Sequence, residues 1–373
     1  MSTATLTAPP RLRPTTFDDF NEIARLEVSN GLIVQDRSDW QNLWTNSPLW
    51  PRLGNDWPIG WVLEDPTGRV VGSLINVPSA YRFRGEELIC ANGRAWNVAP
   101  DYRGFALFLF EEYFDRPRAD LFINTTVNAI AEPAIRTLSD RVPIGDFQTV
   151  SYWVTGYRGF ARKALRKLRV PGADLLAWPA GAALGLKDIV CCKSFPSAPR
   201  SVAVEAIEGF DSRFDAFWNE LVEQNPDKLL GVRDAQTLAW HFAAPLRHDR
   251  LWIFTASRHN LLRAYCIVKW EEHRGGLNRM RIVDYQTVDR EVDLLPALLR
   301  PALDRCSSNG FHILEHLGRG LPKMRSLEDY VPYRMRLTSW LYYYRAAEKG
   351  LATELSRPEA WDPSLYDGDA SFD

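Results

Sequence analysis

The stretch Trp96-Asn97-Val98-Ala99-Pro100-Asp101-Tyr102-Arg103-Gly104-Phe105-Ala106-Leu107-Phe108-Leu109-Phe110-Glu111-Glu112-Tyr113-Phe114 decides how the rest of the chain reads. It opens as the end of a strand, passes through a Pro-Asp-Tyr-Arg-Gly turn and becomes a helix, because Leu107, Phe110 and Phe114 recur at helical spacing. No acidic side chain lies between Arg103 and Phe110. The first N–H groups of the helix and the positive end of its dipole are therefore free to meet an anion, with the Arg103 guanidinium beside them. A pyrophosphate suits such a place.

Upstream, residues 11–14 read as a short strand. Thr15 or Thr16 then caps a helix carrying Phe20, Ile23 and Leu26, and a second helical stretch holds Trp40 and Trp44. Residues 59–64 and 69–77 read as paired strands about the Asp65-Pro66-Thr67-Gly68 turn, and 87–98 as the strand that enters the decisive turn. Downstream, 121–127 reads as a strand, 129–138 as a helix and 148–157 as the last strand of this half. The same order then returns. Strands at 201–207, 251–256, 262–270 and 280–288, helices around Phe214–Leu221 and at 236–243 and 294–306, and strands at 312–317 and 337–344 form an internal repeat of elements. Between the halves lie Arg158, Arg162, Lys163, Arg166, Lys167 and Arg169 without an acid, followed by a Pro- and Gly-containing stretch to 200.

Val98, Pro100, Tyr102, Arg103 and Gly104 match V-x-P-x-Y-R-G, and in this the chain resembles the opening of motif A in GNAT-type acyltransferases. That family usually continues Arg-Gly-x-Gly-x-Gly/Ala. Here Phe105, Ala106, Leu107 and Phe108 follow, so a phenylalanine stands where the last small residue is expected. The resemblance, with the repeated element order, implies an α/β (α+β) fold of two tandem GNAT-like domains, each a mixed, mostly antiparallel sheet flanked by helices. The expected division is 1–157 with motif A, a basic, Pro/Gly-rich linker at 158–200, a second, degenerate GNAT-like domain at 201–355 and an acidic tail at 356–373.

The resemblance also implies an activity: transfer of an acyl group from acetyl-CoA or another acyl-CoA, with a carrier protein as the alternative donor, to an amine of a small metabolite or sugar nucleotide. Val98, Tyr102, Arg103, Gly104, Phe105 and Ala106 are then the donor-binding residues. Glu87, beside Glu86, is the expected base, and Asn128 with Ala131 resembles the N-x-x-A near the pantetheine arm. The tyrosine usual in the following helix is absent, its region being Ile135, Arg136 and Leu138. Two alternatives stay open: a non-catalytic, ligand-binding tandem GNAT protein, and a Fem-like aminoacyl transferase, although no heptad hairpin of the kind those carry is expected here.

Other features bound the reading. A chain of 373 residues, 46% hydrophobic and 25% charged, has the composition of a soluble globular protein with room for two cores. A net charge of −2 gives no general attraction to nucleic acid. The five cysteines form no C-x-x-C pair, which points to a reducing, cytoplasmic setting, and no run of eighteen apolar residues predicts a membrane span. The basic run with Leu175, Leu176 and Trp178 leaves peripheral contact with an anionic membrane as a second use beside a solvated helix. The oligomeric state is not legible.

His312-Ile313-Leu314-Glu315-His316 matches H-x-x-E-H, a zinc pattern that works only on a helix. The flanking Gly310 and Gly318 argue for a strand, on which positions four apart are about 13 Å from each other, and no metal is expected. Trp40, Trp44, Trp50 and Trp57 fall where an acceptor site is lined in the resembling family, but packing of a helix pair is their commoner use. In the second half the equivalent turn carries Asp289, Glu291 and Asp293, whose charges repel a pyrophosphate, so no CoA is expected there.

Overall fold

The computed structural model describes residues 8–115, 118–191, 195–271, 276–290 and 292–372. The strands of the first half are β1 (Arg11–Pro14), β2 (Gly60–Glu64), β3 (Val70–Phe83), β4 (Glu86–Val98), β5 (Leu121–Val127), β6 (Asp140–Arg141) and β7 (Asp146–Val154). Those of the second are β8 (Ala203–Ile207), β9 (Leu230–Gly231), β10 (Leu251–Arg258), β11 (Leu261–Glu271), β12 (Arg279–Thr287), β13 (Ile313–Arg319), β14 (Tyr333–Arg336) and β15 (Leu341–Ala346). They form two sheets, in the orders β1-β2-β3-β4-β5-β15-β6, with β9 on β3, and β14-β7-β13-β12-β11-β10-β8. Each sheet is antiparallel except for one parallel pair, β4 with β5 and β12 with β13. This is the expected mixed, mostly antiparallel architecture, twice over.

The halves are joined more closely than chain order suggests. The strand read as closing the first half, β7, pairs instead with β13 and β14 in the second sheet. In return β15, from the end of the second half, pairs with β5 and β6 in the first. Each sheet thus borrows its neighbour's last strand, and the boundaries 1–157 and 201–355 describe chain order rather than sheet membership. The reason is that apolar alternation makes a segment a strand without naming the edge it joins.

The core follows this exchange. One cluster lies between the first sheet and its helices, with Trp44, Trp61, Phe110, Tyr113 and Phe122. The other joins Tyr81, Leu121 and Ile123 of the first sheet to Tyr265 of the second, to Phe214 and Leu298 of the second half's helices and to Trp361, Leu365 and Tyr366 of the tail.

Two segments depart from their sequence reading. The stretch taken as a linker contains the helices Tyr157–Lys167 and Ala173–Cys191, packed as a hairpin. Its seam is Ala173, Ala177 and Gly181, buried at four-residue spacing rather than in heptads. The acidic tail is part of the core, because residues 360–372 are buried from end to end. Asp367 pairs with the fully buried Arg233 at 3.1 Å, and Asp369 accepts hydrogen bonds from Thr125 N (2.9 Å), Thr125 Oγ1 (2.6 Å) and Thr126 Oγ1 (2.7 Å). Buried carboxylates persist only when satisfied in this way.

Candidate functional site

The decisive stretch forms as read. β4 ends at Val98, Ala99 is extended, Pro100–Phe105 makes a 3-10 turn, and Ala106–Asp115 is α-helical. Pro100 suits the first position of that turn because its missing N–H has no partner to lose. No side chain caps the turn, and no acid stands in the first turn of the helix. Arg103 and Gly104 are exposed, and a Cβ built on Gly104 would meet no atom within 4 Å. The helix is anchored from its other side, where Leu109, Phe110, Tyr113 and Phe114 are buried against the first sheet. Tyr102 N and Ala106 N already donate to Ala99 O and Arg103 O, so what the turn at Arg103–Leu107 offers an anion is the positive end of the helix dipole, the exposed Arg103 guanidinium and the open space over Gly104.

β4 and β5 pair only from Cys90 with Leu121 to Asn92 with Ile123, and then diverge. β4 carries a bulge against β3 just beyond this point, with Ala95 at φ 53°, a strained position for a residue with a Cβ. The wedge between the strands is lined on the helix side by Gly93, Asn124 and Tyr113. A Cβ on Gly93 would lie 2.2 Å from Asn124 Oδ1 and 3.2 Å from Tyr113 Cζ, so only glycine fits. The Tyr113 hydroxyl donates to Ala91 O at 2.7 Å, and burial pushes its pKa up, so it keeps its proton. Asn124 is 4% exposed, and its amide nitrogen has no acceptor within bonding geometry. On the opposite face Gly368 of the tail packs against Ile123 and Thr125. None of Gly93, Asn124 or Asp369 was singled out from sequence. Gly93 alone left a signal, since glycine inside a strand marks a close approach.

Of the residues expected from sequence, Val98 through Ala106 come together at the turn. Glu87 and Asn128 do not join them. Glu87 is near the hairpin end of β4, where it pairs with Arg52 at 2.6 Å and Arg82 at 3.5 Å, six residues or about 20 Å along the strand from Gly93. Asn128 Oδ1 accepts the N–H groups of Ile130 and Ala131, both at 2.9 Å, and so orders the turn that follows β5. Trp40, Trp44 and Trp57 are buried. Trp40 and Trp44 pack on each other and on Phe17, while the indole N–H groups of Trp44 and Trp57 are aimed at Asn76 O.

The H-x-x-E-H residues lie on and beside β13. His312 Nδ1 accepts from Asn278 N, Glu315 pairs with Arg281 at 2.6 Å, and His316 is buried, its pKa lowered by burial to about 3. Among the described residues one cluster has metal-ligand spacing, Asp36, Asp39 and His248, and it already holds a cation, since Arg247 contacts Asp39.

The equivalent turn of the second half is closed. Asp289 Oδ1 accepts from Val292 N and Asp293 Oδ1 from Leu295 N, both at 3.0 Å. Its wedge, where β12 and β13 diverge after Arg281 and Glu315, is filled by the tail. Tyr366 N donates to Val283 O at 2.9 Å, and Ser364 and Leu365 pack beside His316 and Leu317. A surface groove of 730 Å³ beside the second turn is lined by Glu220, Glu223, Gln224 and Arg290 and is too open and acidic to hold a phosphate.

At the level of sequence, no protein-family model and no curated protein matches this chain. Solved structures do. A conserved protein of unknown function from Enterococcus faecalis V583, described as a probable N-acyltransferase, superposes with a TM-score of 0.54 at 10% identity, over 91% of this chain and 73% of its own. GCN5-related N-acetyltransferases from Kribbella flavida (0.51, 12% identity, 92% and 72% covered) and Anabaena variabilis (0.50, 12%, 91% and 73%) are similar to the same extent. At these identities the likeness establishes the fold, which is GNAT-like across nearly the whole chain.

Proposed function

We propose that the chain is an N-acyltransferase that takes its acyl group from acetyl-CoA or another acyl-CoA and passes it to the amine of a small metabolite or sugar nucleotide. The observation that carries this reading is the uncapped helix N-terminus at Arg103–Leu107 next to the wedge between β4 and β5. Val98, Tyr102, Arg103, Gly104, Phe105 and Ala106 surround the donor's pyrophosphate, and the pantetheine arm runs toward Gly93. There the buried Asn124 amide, beside the Tyr113 hydroxyl, is a donor for a carbonyl oxygen. The amine nitrogen attacks the thioester carbon, negative charge gathers on the carbonyl oxygen, and the C–S bond breaks to release CoA as a thiol. In this reading the amine's proton passes to solvent. Glu87 fixes the hairpin end through Arg52 and Arg82, and Asn128 shapes the end of β5.

Titration calorimetry with CoA and acetyl-CoA tests the donor site. The wild type should bind, and Arg103→Glu should weaken binding about tenfold or more while leaving the melting temperature unchanged. A wild type that binds neither compound at about 1 mM has no donor site here. The fold then serves as a ligand-binding scaffold instead.

A further inference from the structure

The helix Ala173–Cys191 is built inside out. In a surface helix the large apolar side chains normally face the core. Here the inward stripe is Ala173, Ala177 and Gly181, and Gly181 approaches so closely that a Cβ would lie 3.0 Å from the Arg158 backbone. The outward side carries Leu175, Trp178, Leu186, Ile189 and Val190, which are 82%, 68%, 63%, 81% and 75% exposed. Its main packing partner is the preceding helix, Tyr157–Lys167, and nothing among the described residues covers those side chains. The hairpin is nonetheless fixed in place. Asp188 accepts the hydroxyls of Tyr157 at 3.0 Å and Tyr333 at 2.6 Å, which ties it to β14. A contiguous apolar surface of this kind, rigidly presented, is an interaction site.

The charge around it identifies the partner. Arg158, Arg162, Arg166, Lys167 and Arg169 are exposed on the same hairpin with Lys163 beside them, and Asp174, bound to Arg166, is the one acid from 158 to 187. A second copy of the chain docking across a two-fold axis would bring this basic set against itself. A bilayer of anionic lipid offers the complement to both features, an apolar interior at the acyl boundary and phosphates at the depth of the guanidinium groups. No helix of the described residues is long and apolar enough to cross a membrane, so the helix lies in the plane of the surface.

We propose that the hairpin 157–191 docks the protein on anionic membranes, with Leu175, Trp178, Leu186 and Ile189 inserted below the headgroups and the arginines and lysines around Arg162 on the phosphates. The test is sedimentation of the full chain with large unilamellar vesicles of phosphatidylglycerol and phosphatidylcholine, against phosphatidylcholine alone. Binding to the anionic vesicles at about 50 mM salt is expected, falling steeply by about 500 mM. Trp178→Asp with Ile189→Asp should abolish it without moving the melting curve, because both side chains are exposed. Arg162→Glu and Lys167→Glu should each weaken it about fivefold or more.

A wild type that stays in the supernatant while anionic vesicles pellet at low salt overturns the proposal. So does vesicle binding that the aspartate pair and the charge reversals leave unchanged. Sedimentation velocity covers the rival occupant. An oligomer that the aspartate pair dissociates, in a protein that ignores vesicles, assigns the face to a second copy.

Discussion

The two helix entrances of this molecule start from the same geometry and end in opposite electrostatic states. In each half a parallel strand pair holds register for three residues and then splays, and a helix begins near the splay. In the first half no side chain caps the entrance, Arg103 is exposed and the space over Gly104 is open. In the second, Asp289 and Asp293 accept from the N–H groups of Val292 and Leu295, and the tail occupies the wedge. A helix N-terminus attracts negative charge whatever its source. A duplicated fold can therefore hold one entrance for an external anion while the other is satisfied by the chain's own carboxylates.

The largest effect should come from breaking what closes the second wedge. Arg233 is fully buried and pairs with Asp284 on β12 at 2.9 Å and with Asp367 in the tail. Burial opposes the charge on Asp284, but Arg233 more than offsets this and holds its carboxyl below the usual range, with the Tyr265 hydroxyl donating to it at 2.7 Å. Arg233→Leu strands two buried carboxylates and should cost about 3–5 kcal/mol in urea unfolding. A loss under about 1 kcal/mol would mean that the tail is held by its apolar residues alone.

Acid should loosen the same region next. His241, whose ring contacts Ser371 at 2.6 Å and stacks near Phe372, is kept neutral by burial with its pKa lowered to about 3, as is that of His316. Unfolding lets both rise toward the ordinary 6.5. Their contribution to stability is therefore complete above 6.5 and is lost as pH falls from there toward 3. At pH 5 each should cost about 2 kcal/mol relative to pH 7. His241→Gln should flatten part of that slope in melting curves at a series of pH values, and an unchanged slope would place the acid sensitivity elsewhere.

What the sequence made legible follows from local rules. The strand-turn-helix at Val98–Phe114, the repeated element order and the acid-filled second turn rest on periodicity and on charges a few residues apart, and all three stand in the structure. What it hid depends on partners far along the chain. β7 and β15 were legible as strands, but their exchange between sheets was not. The tail read only as acidic, because Arg233 and Thr125, which satisfy its aspartates, are more than a hundred residues away. Asn124 was passed over because its place at the wedge depends on where β4 and β5 part. The tryptophans, by contrast, could be read two ways, and packing claimed Trp40, Trp44 and Trp57.

A smaller effect compares the entrances directly. Arg103→Glu should lower CoA affinity about tenfold, near 1.4 kcal/mol. Arg290→Glu, at the second entrance, should leave it unchanged, because Arg290 is already held by the side-chain and backbone oxygens of Gln224. Equal losses in calorimetry would show that CoA responds to overall charge and not to one entrance.

The smallest effect concerns Phe108, which stands in the open entrance where the resembling motif has its last small residue. It lies one helical turn beyond Gly104, hence on the same face, is 46% exposed and leans toward Phe105 with ring centroids 6.0 Å apart. A ring that is half in solvent contributes little to the core, so Phe108→Ala should change stability by about 1 kcal/mol or less. Alanine rather than glycine keeps helix propensity out of the measurement. If the ring merely flanks a donor that approaches over Gly104, CoA affinity should move by less than about threefold, since no polar contact is removed. If the ring blocks the approach, its removal should tighten binding by about tenfold or more, and the first entrance of the wild type would be closed by an aromatic ring just as the second is closed by carboxylates. The expected result is the small change, because the exposed Arg103 and the open space over Gly104 lie ahead of the ring along the chain.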